Sequence, residues 1–213
     1  NMYPIHLISG LAMLVLLALL VELFSRKGNP FLNLSALGGG FLYVTLPFTF
    51  LILLRRAGEF FPESGFSFTL GTQADDPWGA WMLLTVFVAV WCCDSFAYFF
   101  GRAFGKHKLF PRVSPKKSWE GAVAGFVFAI AAVIGMDAVF ALKLGAIHSL
   151  AIGAAIGVSG QLGDLAESLL KRDAGVKDSS AIIPGHGGVL DRFDSIIFAV
   201  PTVYAYLLLV FGK

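Results

Sequence analysis

The sequence predicts an all-α fold: a polytopic transmembrane helical bundle of about six spans, with a polar site at its cytoplasmic side. Three observations predict it. Of 213 residues, 57% are hydrophobic and 14% charged, whereas an ordinary soluble domain is about a quarter charged. The apolar residues fall in runs near the ~20 needed to cross the hydrocarbon core, without the strand alternation of a membrane barrel. The charge that remains is concentrated, above all in residues 161–195, QLGDLAESLLKRDAGVKDSSAIIPGHGGVLDRFDS.

The predicted spans, in order, are Ile5 to Phe24, Phe31 to Leu54, Trp78 to Phe100, Trp119 to Leu142, His148 to Leu170 and Ile196 to Phe211. The fifth is the least lipid-like, because it carries Ser159, Gln161, Asp164 and Glu167. No basic n-region or small-residue cleavage site precedes the first span, so no signal peptide is read. No internal repeat or second domain is visible, and residues 1–213 read as one integral membrane domain. The adjacent Cys92 and Cys93 lie inside an apolar run. Neighbours in a helix do not face each other, so a structural disulfide between them is not expected.

The basic residues orient the bundle. The loops after spans one, three and five hold 12 of the 16 Lys and Arg residues. The positive-inside rule puts those loops in the cytoplasm and both termini outside.

The chemistry-bearing residues form two groups. Asp164, Glu167, Ser168 and Lys171 recur at three- and four-residue spacing, so a helix puts them on one face, which Arg172 extends. An ionisable residue inside a span is costly and marks a functional site. A structural interhelical ion pair would account for one such residue, not for the stripe. Lys177 and Asp178 follow, then a loop containing His186, Gly187 and Gly188, then Asp191, Arg192 and Asp194. Glycines let backbone N–H groups approach an anion closely. Either Asp191 or Asp194 alone would be explained by the helix dipole.

The second group lies earlier. Asp94, Ser95, Tyr98 and Arg102 close the third span. Six basic residues then lead to Ser114-Pro115-Lys116-Lys117-Ser118, just before Trp119. A topology signal or a headgroup patch is the plain reading of the six. Against it, a phosphate at Lys116, Lys117 and Ser118 would meet two ammonium groups, hydroxyls and a helix N-terminus.

Carboxylates mixed with Lys, Arg and backbone donors suit a metal–phosphate site. Mg2+ takes one or two carboxylates plus phosphate oxygens, and cations neutralise the remaining phosphate charge. Mg2+ or another divalent cation is therefore expected, with Asp164, Asp191 and Asp194 as ligands. Zinc fits poorly, since His186 has no Cys or His nearby in sequence.

Ser168-x-Leu170-Lys171-Arg172, then Lys177-Asp178, then Ile183-Pro184-x-His186-Gly187-Gly188-x-x-Asp191-Arg192-x-Asp194 resembles the C-terminal motif of the phosphatidate cytidylyltransferases, the CDP-diacylglycerol synthases. The stretches Asp94-x-x-Ala97-Tyr98-x-x-Gly101-Arg102 and Ser114 to Gly121 are similar to that family too. The resemblance covers Asp94 to Asp194, which marks residues 94–194 as the catalytic region. It implies that CTP and phosphatidic acid give CDP-diacylglycerol and pyrophosphate at the cytoplasmic face of the bacterial inner membrane, with a divalent metal. It implies a homodimer, more N-terminal helices in family members than the six spans here, and no nucleic-acid partner.

On this reading Asp164, Lys171, Arg172, Lys177, Asp178, His186, Asp191 and Arg192 are the catalytic set. Lys116, Lys117, Ser118, Gly187, Gly188 and Arg102 would bind substrate phosphate. A phosphomonoester has its second pKa near about 6, so the lipid phosphate is an ionised nucleophile at neutral pH and needs no dedicated base. Two other readings stay open. One is a cytidylyltransferase for another lipid phosphate, such as an ether isoprenoid lipid. The other is a transporter of an anionic solute, which predicts polar or helix-breaking features in both membrane halves.

Overall fold

The computed structural model describes residues 3–25, 28–60, 77–180 and 188–211; the side chains of residues 3–9, 11, 59 and 60 lie outside that description. The chain divides into two compact units, Asn1–Leu46 and Pro47–Lys213.

The first unit is α1 (Tyr3–Phe24), then α2 (Pro30–Gly40) and a π-helical turn (Phe41–Thr45). Asn29 caps α2, its side chain accepting from the Phe31 N–H at 3.0 Å, and Pro30 stands at the helix start, where no N–H is needed. Within this unit Asn33 donates to Glu22 at 2.8 Å, tying α2 to α1.

Helix α3 (Leu46–Arg55) opens the second unit. In the π turn that precedes it, the Leu46 N–H bonds the Phe41 carbonyl, five residues back. A short α4 (Ala57–Phe60) follows. Next come α5 (Pro77–Phe104), a ribbon of β1 (Lys108–Phe110) and β2 (Ser114–Ser118), α6 (Trp119–Phe140), α7 (Ala146–Asp173), a 3-10 turn (Leu190–Arg192) and α8 (Asp194–Phe211).

Among the described residues, five helices are long and apolar enough to cross a membrane: Pro30–Arg55, Pro77–Phe104, Trp119–Phe140, Ala146–Asp173 and Asp194–Phe211. They match predicted spans two to six to within four residues, and α1 occupies the first. The chain is an all-α integral membrane protein. Helices α5 and α7 have 28 residues each, roughly 42 Å at 1.5 Å per residue, against a hydrocarbon core of about 30 Å. Each is therefore longer than a straight crossing requires.

The antiparallel ribbon occupies a stretch that the sequence reads as a loop. Lys108 pairs with Ser118 and Phe110 with Ser114, with an irregular register between them. Strands of three and five residues are too short for alternation to show. The ribbon is anchored from outside itself, by the Trp119 N–H on the His107 carbonyl at 2.9 Å.

The apolar core runs through α5, α7 and α8, with Met82, Val86, Ile152, Ile156, Val203 and Leu207 fully buried. Buried polar groups inside it are bonded: Trp78 Nε1 donates to the Leu142 carbonyl at 3.2 Å, and Ser149 to Asp137 at 2.8 Å. Helices α5 and α6 cross at glycine. A Cβ at Gly121 would strike the Ala97 carbonyl and the Cα of Gly101, so only glycine lets the helices meet there.

Candidate active site

That crossing brings the two sequence groups together. With Gly121 seated on Gly101, Lys116 to Ser118 lie beside the polar end of α5. Helix α7 closes the other side. The result is a cleft of about 630 Å3 lined by α5 (Asp94, Tyr98, Arg102), the ribbon (Lys108, Lys116, Lys117), the start of α6 and α7 (Gln161, Asp164).

Lys117 Nζ lies 2.6 Å from Asp164 Oδ2, both side chains being a little under one-third exposed. Lys116 is exposed on the cleft wall. Arg102 reaches the Tyr98 hydroxyl at 3.1 Å. Ser118 is buried and caps α6, its Oγ accepting from the Gly121 N–H at 3.3 Å. Glu120 meets His107 Nδ1 at 2.7 Å and so pins the ribbon to the same helix end.

The predicted face of α7 is realised. Ser168 Oγ is 3.3 Å from Asp164 Oδ1, and Lys171 Nζ is 3.1 Å from Glu167 Oε2. Lys171 also meets Asp191 Oδ1 at 2.6 Å. Asp191 is a hub. Its Oδ2 accepts from the Ser179 N–H (2.9 Å), the Ser179 hydroxyl (2.8 Å) and the Gly188 N–H (2.6 Å). Partial burial pushes its carboxyl up, but the Lys171 ammonium and the Gly188 and Ser179 donors outweigh this and hold it well below the usual carboxylate range. Gly175, in the left-handed region at φ 70°, ends α7 and turns the chain into this loop.

The remaining predicted residues spread outward. Arg172 is exposed, donates to the Val176 carbonyl at 3.3 Å and shares a smaller cleft of about 220 Å3 with Arg112. Lys177, Asp178 and Arg192 are exposed. His186 and Gly187 lie outside the described residues. Gly188 turns its N–H toward Asp191.

Three residues were given no role from sequence. Glu167 is 1% exposed, faces the Asp194 carboxyl, and has its Oε1 buried without a hydrogen-bond partner. Gln161 lines the cleft. Asp94 lies within electrostatic reach of Asp164 and Asp194 and takes the Ser195 hydroxyl at 3.4 Å. The signal for Asp94 was present: it is the one acidic residue in a 28-residue apolar helix, and a charge inside a span marks a site.

This donor set fits a divalent cation. Asp94 and Asp194 form no ion pair among the described residues, and a buried carboxylate oxygen of Glu167 is orphaned beside them. Among the described residues no group of three His, Cys, Asp or Glu side chains is placed to hold a metal ion by itself; Mg2+ needs only one or two carboxylates and completes its shell with water and phosphate oxygens. Asp191 meets four protein donors here.

Residues 2–210 match the family model described as the cytidylyltransferase family. The chain is 47% identical over 138 residues to a phosphatidate cytidylyltransferase of Haemophilus influenzae, a match covering 59% of this chain and 46% of that protein. It is 46% identical over 134 residues to the one of Bacillus subtilis (63% and 50%). It is 32% identical over 219 residues to that of Staphylococcus epidermidis (98% and 83%). The chain thus spans about half the length of the first two of these relatives. With the family model matched from residue 2 to residue 210, the chain belongs to the cytidylyltransferase family.

Proposed function

We propose that the chain transfers a cytidylyl group from CTP to phosphatidic acid, giving CDP-diacylglycerol and pyrophosphate. The observation that carries this is the cleft where Arg102, Lys108, Lys116 and Lys117 surround Asp94 and Asp164. Cations for two polyanions and carboxylates for a metal stand at one end of a membrane bundle. The names of the relatives favour this over transport of an anionic solute.

A phosphate oxygen of the lipid attacks the α-phosphorus of CTP. The new P–O bond forms as the bond to the β-phosphate oxygen breaks, and pyrophosphate leaves. Positioning and electrostatics supply most of the acceleration in such a transfer. Lys116 and Arg102 hold phosphate at the cleft mouth. Lys117 positions Asp164 and contacts phosphate when that pair opens. Lys171 and Asp191 shape the segment that carries Lys177 and Arg192, with Arg172 at its edge, and His186 and Gly187 join the phosphate-binding set on the strength of the sequence motif. Asp164, Asp191 and Asp194, with Asp94 beside them, would hold Mg2+ or a similar cation. When bound, the cation neutralises developing charge on the phosphates.

The site is assigned to the cytoplasmic face of the inner membrane because residues 102–117 and the Lys171–Arg192 segment carry ten of the 16 basic residues. A homodimer, implied by the family resemblance, completes the reading and is open to cross-linking in native membranes. The test is turnover of labelled CTP with a panel of lipid phosphates, with and without Mg2+. Formation of a labelled CDP-lipid from phosphatidic acid is expected. Turnover only with an ether isoprenoid phosphate would reassign the acceptor, and no turnover with any would refute the activity.

A further inference from the structure

We infer that Gln161 reads the nucleotide base, its Oε1 accepting a hydrogen bond from the exocyclic amine of cytosine. The inference rests on the cytidylyl-transfer reading and adds the residue that selects the base.

The amide of Gln161 is held in one orientation. Its Nε2 donates to the Ala122 carbonyl at 3.0 Å and to the Gly157 carbonyl at 2.8 Å. Both partners are carbonyl oxygens, which only accept, so chemistry requires the nitrogen on that side. The amide also lies beside the Cys93 thiol, whose own hydrogen goes to the Gly157 carbonyl, so the thiol faces the amide as an acceptor and Oε1 keeps no partner among the described residues. Gln161 is half-buried on the cleft wall, one helical turn from Asp164. The cleft therefore presents a fixed, one-signed acceptor.

Of the two reactants, only the nucleotide can satisfy it. An ionised lipid phosphate and its acyl esters accept and do not donate. Ribose hydroxyls donate and accept, so a fixed acceptor discriminates little among sugars. The cytosine amine only donates, whereas uracil carries a carbonyl at that position and would set two acceptors against each other. Space for a planar ring exists beside Gln161, where Ala97, Gly121 and Ala122 keep the wall low and Tyr98 offers a ring face.

The experiment compares CTP, UTP, dCTP and a CTP analogue lacking the 4-amino group as substrates with phosphatidic acid, in wild-type protein and in Gln161→Leu. Wild type should prefer CTP over UTP and over the 4-deamino analogue by about 10-fold to 100-fold in kcat/KM, the ratio for one desolvated, unmet hydrogen bond. Gln161→Leu should collapse that preference toward unity while leaving the CTP-to-dCTP ratio unchanged. The wild-type comparison stands even where the variant fails to fold. Equal use of CTP and its 4-deamino analogue by wild type would overturn the inference, as would a variant that changes sugar selection instead. Absence of CTP turnover in wild type would instead sink the transfer reading on which it rests.

Discussion

Lys171 holds two carboxylates, and its removal is the most exacting test of the site's architecture. Its Nζ sits 3.1 Å from Glu167 and 2.6 Å from Asp191, with the three side chains 16%, 1% and 12% exposed. None is open enough for solvent screening to weaken the pairs much. Lys171→Ala leaves Glu167 buried without a cation and frees the Asp191 hub that organises Ser179 and Gly188. Removing one partner of a buried ion pair costs about 3–5 kcal/mol. For a chain of this size that is a fall in Tm of roughly 6–20 °C, at about 2–4 °C per kcal/mol. The assay is thermal unfolding in detergent at neutral pH with a thiol-reactive dye, which reports exposure of the buried Cys93. Lys171→Ala combined with Glu167→Gln should recover part of the loss, because a neutral amide tolerates the buried position. A single variant melting within about 2 °C of wild type would refute the reasoning, as would a double variant whose loss is the sum of the two.

Three further outcomes are expected. Asp164→Asn should abolish CTP-dependent turnover while Tm stays close to wild type, since Asp164 lies on an open cleft and, among the described residues, meets the partly exposed Lys117 and a long Ser168 hydroxyl bond; near-normal activity would end its assignment as a metal ligand. The Asp191 carboxyl is depressed below its ordinary value of 3.8, so its stabilisation is fully present above that pH and is lost as pH falls further toward the folded-state value. Tm should therefore drop in acid more steeply for wild type than for Asp191→Asn when scanned from about pH 5 to pH 2. Ser118→Ala removes the cap of α6 and should lower unfolding stability by about 0.5–2 kcal/mol, read in the same thermal assay.

Much was legible in the chain because the signals are local. Apolar runs of membrane-spanning length set the helices, and a helix repeating every 3.6 residues puts Asp164, Glu167, Ser168 and Lys171 on one face whatever surrounds it. The mixture of carboxylates, cations and glycines was enough to point to phosphate chemistry. Tertiary structure alone decided who meets whom. Asp94 joins Ser195 across 101 residues, and Gln161 is oriented by Ala122, 39 residues away. Neither pairing leaves a trace in spacing. Asp191 reads as a metal ligand in the sequence because a carboxylate accepts from cations and N–H groups alike; the fold adds that Lys171, Ser179 and Gly188 converge on it. Residues 161–195 are half of a site. The contact of Gly121 with Gly101 supplies the other half, because close approach of two backbones depends on what both helices lack.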